Sequence, residues 1–119
     1  MLINEEKKFI FIHVQKNAGI SFENILLGEF PGTKTWHGRH GRSIDGLSDM
    51  TVGEWEEYFS FAFVRNPWDR MVSWYAMIET AQKELSFFKR LRKKPFRSEL
   101  WNYAVKNSHD FESFLENCT

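Results

Sequence analysis

Two segments of this chain share one grammar, and the repetition constrains the fold more than any other feature. Phe9-Ile-Phe-Ile-His-Val-Gln-Lys-Asn-Ala-Gly-Ile-Ser21 and Phe61-Ala-Phe-Val-Arg-Asn-Pro-Trp-Asp-Arg-Met-Val-Ser73 each run from an apolar stretch through a polar turn into a helical pattern. Phe9, Phe11 and His13 alternate with Ile10, Ile12 and Val14, so both faces are apolar, as in a strand buried within a parallel sheet. We expect this strand to be central, with a second buried strand at about 61–64.

The residues between and after these segments fill in the layers. Phe22, Ile25 and Leu26 recur at helical spacing, and Gly28, Pro31 and Gly32 end that helix. Five of the seven glycines lie from Gly28 to Gly46, which predicts a loop region with at most a short strand at about 33–36. Thr51 and Glu54 have capping-box spacing, so a helix starts there and should turn Val52, Trp55 and Phe59 to the core. Asn66 can cap the next helix, Pro67 suits its first position and Asp69 favours its positive end. Its expected apolar stripe is Trp68, Met71, Val72, Tyr75 and Ala76. Two further helices are expected at about 98–106 and 110–116. The pattern predicts one α/β domain over residues 1–119, a short parallel sheet flanked by helices.

Composition removes several function classes. With 42% hydrophobic residues, twelve Phe and five Trp, the chain can bury an aromatic core and is not disordered. Sixteen basic and sixteen acidic side chains give no net field to attract nucleic acid or a membrane surface. The single Cys118 excludes an intrachain disulfide scaffold and favours a reducing compartment. The polar stretch from Met1 to Lys8 does not read as a signal peptide, and the apolar run after it has only the length of a strand.

The chemistry begins at the first turn. Lys16 leaves the strand, and Asn17, Ala18, Gly19, Ile20 and Ser21 form a small-residue turn at a helix amino end. Backbone amides there can hold an anion, Gly19 permits close approach, Ser21 adds a hydroxyl donor and Lys16 a mobile charge. An ordinary strand-to-helix turn with a solvated lysine would read the same way. Arg65 at the end of the second strand and Ser73 eight residues later could bind a second phosphate. Taken singly, each also fits an ion-paired arginine and a surface serine. Ligands of open parallel sheets sit beyond the carboxyl ends of strands, so the two segments should face one crevice.

The first segment resembles the 5′-phosphosulfate loop of sulfotransferases that use 3′-phosphoadenosine 5′-phosphosulfate (PAPS). The second resembles the 3′-phosphate segment of that family, particularly its carbohydrate-sulfotransferase branch, and it is the more specific match. Arg39-His-Gly-Arg-Ser-Ile44 resembles, less closely, a histidine-containing stretch of that branch. The resemblance spans about residues 8–78 and implies a P-loop-like architecture. It implies that Lys16 stabilises charge on the bridging oxygen of the donor and that amides 17–21 with the Ser21 hydroxyl hold its 5′-phosphate. Arg65 and Ser73 would bind its 3′-phosphate. Asn17 and Ile20 stand where many members carry threonine. The family's catalytic domain extends well beyond this length, which implies a truncated or reduced member.

The implied reaction is transfer of a sulfuryl group from PAPS to an acceptor hydroxyl or amine, such as a glycan, without a metal. An imidazole suits the general base. His40 is the first candidate and His37 the second; exposed loop histidines would look the same. His13 reads as a packed strand-end residue and His109 as a helix-flanking one. Lys89, Arg90, Arg92, Lys93, Lys94 and Arg97 read as a solvated helix end or as an attractor for an anionic acceptor. An ATP-dependent kinase-like phosphotransferase is the alternative enzyme, but its Gly-x-x-x-x-Gly-Lys-Ser/Thr loop is not in the sequence. A non-catalytic nucleotide-binding or assembly module is the alternative of another class. The expected compartment is cytoplasmic for a whole chain and the Golgi lumen for a piece of an anchored enzyme. Exposed aromatic surface in a short sheet would favour a homo-oligomer.

Overall fold

The sheet begins earlier than the alternating pattern suggests. The computed structural model describes residues 1–84, 96 and 99–118. Its first strand is β1, Leu2–Asn4, in the stretch that reads as polar. Met1, Leu2, Ile3 and Asn4 are all buried. A hairpin carries β1 into β2, Phe9–Phe11, and Asn4 fixes that turn. Its Oδ1 accepts from the Lys7 amide at 2.7 Å, while Nδ2 donates to the Pro31 carbonyl and to Thr33 Oγ1. A buried amide with both ends satisfied removes the desolvation cost that burial would otherwise impose.

Four strands lie in the order β3–β1–β2–β4, with β3 at Lys34–Thr35 and β4 at Phe59–Phe61. The sheet is mixed, where the sequence predicts a parallel one. Among the described residues only the β2–β4 pair is parallel, with Phe9 opposite Phe59 and Phe11 opposite Phe61. The β1–β2 pair is antiparallel because the short hairpin leaves no length for a crossover, and β1 also pairs antiparallel with β3. The expected central strand is central, and the second strand starts two residues earlier than expected.

Both faces of the sheet are covered within Met1–Arg65, one of two compact units into which the chain divides. Leu2, Phe9 and Phe11 pack with Leu26 and Phe22 of α1, Gly19–Glu29. Met1, Ile3 and Ile10 pack on the other side with Trp36, Met50, Trp55 and Tyr58. Two short helices, α2 (Ser43–Leu47) and α3 (Val52–Glu56), lead into β4. The capping box at Thr51 and Glu54 forms as predicted. Trp55 turns inward, but Val52 and Phe59 are exposed, contrary to the expected stripe. Ile25 is likewise exposed, and its place on the inner face of α1 is taken by Glu23.

The second unit, Asn66–Thr119, is helical. Helix α4, Pro67–Glu84, begins as the sequence predicts, with Asn66 Oδ1 accepting from the Trp68 amide at 3.0 Å. It packs with α5, Glu99–Asn107, and α6, Phe111–Cys118, through Ile78, Ala104 and Phe114. Met71, Trp74 and Tyr75 join them, so the stripe is rotated from the expected one and leaves Trp68 and Val72 exposed. Gln82 closes the cluster, donating from Nε2 to the carbonyls of Val105 and Ser108 at 2.9 Å. The basic residues from Lys89 to Arg97 lie outside the described residues.

Candidate functional site

The turn between β2 and α1 has an unusual backbone. Lys16 has φ 65° and Ala18 φ 58°, whereas Asn17 and Gly19 between and after them do not share the positive sign. Left-handed conformations at non-glycine residues cost about 1 kcal/mol or more each, so something in the surroundings must hold them. Alternation of this kind turns successive amides to one concave side, which suits an anion. No side chain caps the amino end of α1, which leaves the first-turn amides uncapped. Ile20 and Ser21 are exposed at that end.

Asn17 anchors the turn. It is only 6% exposed, and its Nδ2 donates to the Phe63 carbonyl at 2.8 Å. Phe63 follows β4, and the Ile12 amide donates to the Phe61 carbonyl at 2.9 Å just before it. The carboxyl ends of two adjacent parallel strands are thereby tied together, with Lys16 leaving one and Arg65 the other. Arg65 is exposed and makes no ion pair among the described residues, so the carboxylate partner that would explain it structurally is missing there. Ser73 lies in the second turn of α4, in the other unit, and is half-buried.

The two candidate histidines have different surroundings. His37 Nε2 lies 2.7 Å from Asp49 Oδ2, and its ring packs on Trp36. It is also in a left-handed conformation, φ 51°, with its carbonyl so near Gly41 that a side chain there would clash. The following passage is pinned by Arg42 and Asp45, whose carboxyl is held down to about 2 chiefly by the Arg42 side chain. His40 instead has Nδ1 3.3 Å from the His13 carbonyl oxygen. A carbonyl only accepts, so this contact selects the tautomer with the proton on Nδ1 and leaves Nε2 as the acceptor.

Sequence reasoning missed what lies behind this loop. His13 is 5% exposed and Glu23 4% exposed, with Nδ1 and Oε2 facing each other at 3.4 Å. Arg39 Nε approaches the same Oε2 at 3.1 Å. Neither His13 Nδ1 nor Glu23 Oε2 completes a hydrogen bond among the described residues. The His13 ring meets His40 edge-on with centroids 4.7 Å apart. Its Cδ2–Nε2 edge fills the space beside Gly19, where a Cβ would come within 2.0 Å of Cδ2 and 2.1 Å of Nε2. Gly19 is therefore required by the imidazole beside it. The missed signal was Glu23, one turn after Gly19 and flanked by Phe22 and Leu26 on the inward face.

The donor set on the turn is a lysine, uncapped amides and a serine hydroxyl, which fits the phosphate and sulfonate groups of a nucleotide donor. Among the described residues no group of three or more His, Cys, Asp or Glu side chains is placed to hold a metal ion. No helix among them is long and apolar enough to cross a membrane. The sequence profile described as the sulfotransferase family matches residues 1–118. No curated protein and no solved structure matches the chain.

Proposed function

Because the chain belongs to the sulfotransferase family, we propose that it binds PAPS at the turn between β2 and α1 and moves its sulfuryl group to an acceptor hydroxyl or amine. The acceptor proposed is a carbohydrate, on the resemblance of the segments 39–44 and 61–73. What supports the donor reading above all is the 2.8 Å hydrogen bond from Asn17 Nδ2 to the Phe63 carbonyl. It joins the first phosphate segment to the second at one end of the parallel strand pair, where open sheets hold ligands.

In this reading the amides of residues 17–21 and the Ser21 hydroxyl hold the 5′-phosphate, and Lys16 neutralises charge as the sulfur–oxygen bond to that phosphate breaks. Transfer is in line, so positioning and charge stabilisation carry most of the acceleration. Arg65, exposed and without an ion pair among the described residues, takes the 3′-phosphate. A fork of N–H donors suits a phosphate, and each such charge-assisted bond is worth about 1.5–3 kcal/mol. His40 removes the acceptor proton through Nε2, its Nδ1–H held by the His13 carbonyl.

Calorimetric titration with adenosine 3′,5′-bisphosphate, with ADP as control, tests the donor site. The expected result is tighter binding of the bisphosphate than of ADP. Loss of roughly tenfold or more in affinity is expected in Lys16→Ala and in Arg65→Ala, one charge-assisted bond's worth each. Equal affinities for the two nucleotides would sink the PAPS reading and favour a different nucleotide partner.

A further inference from the structure

The imidazole of His13 has two buried edges with different neighbours. Nδ1 faces the Glu23 carboxylate, and the Cδ2–Nε2 edge lies against Gly19, the first residue of α1. Neither nitrogen has a hydrogen-bond partner among the described residues. A neutral imidazole carries one N–H, and a carboxylate 3.4 Å from Nδ1 favours the proton there. Nε2 then carries a lone pair beside Gly19, at the amino end of the helix, and such a lone pair repels a neighbouring anion. Protonation converts that lone pair into a charged donor. The same buried group is thus unfavourable to an anion when neutral and favourable when charged.

We propose that His13, backed by Glu23, is an additional and proton-dependent contact for the anion held at the amino end of α1, so that anion binding takes up a proton at Nε2. The inference rests on the assignment of the donor's 5′-phosphate to that turn. Other groups facing His13 set the balance. Glu23 on α1 favours the charged form, while His40 and Arg39 on the loop and the amino group of Met1 oppose it. Burial opposes it most, so the free protein holds His13 below the ordinary imidazole range and neutral near pH 7. An anion adds the negative charge that reverses this. The sign follows: affinity rises as pH falls, by up to about tenfold per pH unit where one proton is taken up.

The test is calorimetry with adenosine 3′,5′-bisphosphate and, separately, with inorganic phosphate, in buffers of different ionisation enthalpy between about pH 6 and 8, the window around imidazole titration. Wild type is compared with His13→Gln, similar in length and never charged, and with Glu23→Gln. Each ligand's own phosphate ionisation falls in the same window and is removed by comparing the three proteins with the same ligand. Wild type is expected to take up more protons than His13→Gln, with uptake in Glu23→Gln moved to lower pH. Equal uptake in wild type and His13→Gln overturns the proposal. Should His13→Gln lose its fold by circular dichroism, the nitrogen-15 shifts of His13 in wild type decide instead. A proton appearing on Nε2 with ligand supports the contact, and an unchanged neutral ring overturns it. Phosphate binding with His13-linked uptake but no preference for the bisphosphate would sink the PAPS reading and leave this contact standing. Tight bisphosphate binding without uptake does the reverse, and absence of any anion binding overturns both.

Discussion

The two units bury different kinds of atoms. In the helical unit the core is Ile78, Ala104 and Phe114, and the buried Ser108 has its hydroxyl 3.4 Å from Cys118 Sγ and its carbonyl bound by Gln82. In the sheet unit, His13, Asn17 and Glu23 are buried beside the aromatic core, and each keeps a polar atom without a hydrogen bond among the described residues. Folding alone gives no reason to keep such atoms, since a buried unsatisfied group costs about 1–3 kcal/mol. Their grouping behind one turn, whose backbone is itself held in left-handed conformations, is what the proposed anion contact would account for. The helical unit shows no comparable concession among its described residues.

Three tests would break or sharpen that contrast. The largest expected effect is in the helical unit, where Phe114→Ala removes a fully buried ring and should cost about 3–5 kcal/mol in urea unfolding. A loss below about 1 kcal/mol would mean that this core is not packed as described. In the sheet unit, Glu23→Met replaces a buried carboxylate by an apolar chain of similar length. It should be close to neutral for stability, since the Arg39 left behind is exposed and His13 is held neutral, while weakening bisphosphate binding. Marked destabilisation would show that Glu23 is kept for the fold. The third comparison is between glycines. Gly19→Ala drives a methyl into the His13 ring and should cost about 1–3 kcal/mol, with loss of anion affinity. Gly53→Ala meets nothing within 4 Å and should stabilise α3 by about 0.5–1 kcal/mol. Equal effects of the two on thermal unfolding would contradict the wedge.

Much of the chain as far as the start of α4 was legible because its signals are local. The capping box at Thr51, the Asn66 cap and the two-sided apolar strand through Phe11 depend on neighbours a few residues away. β1 was not legible, since a strand of three residues between polar neighbours gives no period to detect. The α4 stripe was misjudged because the pattern permits two faces, and only α5 and α6 select the one with Trp74 and Ile78. At the candidate site, Lys16 and Arg65 could be picked out by their place after strands. The His13–Glu23–Arg39 group could not, because it joins a strand, a helix and a loop that meet only in the fold. The sequence already placed His40 before His37, but the contacts that distinguish them, the His13 carbonyl and Asp49, meet them only in the fold.

The most direct test of the account is a crystal structure of the chain with adenosine 3′,5′-bisphosphate bound. The prediction is a 5′-phosphate on the amides of residues 17–21 beside Lys16, with the Nε2 edge of His13 behind it and the 3′-phosphate on Arg65. A nucleotide seated elsewhere, with the turn between β2 and α1 empty, would contradict it.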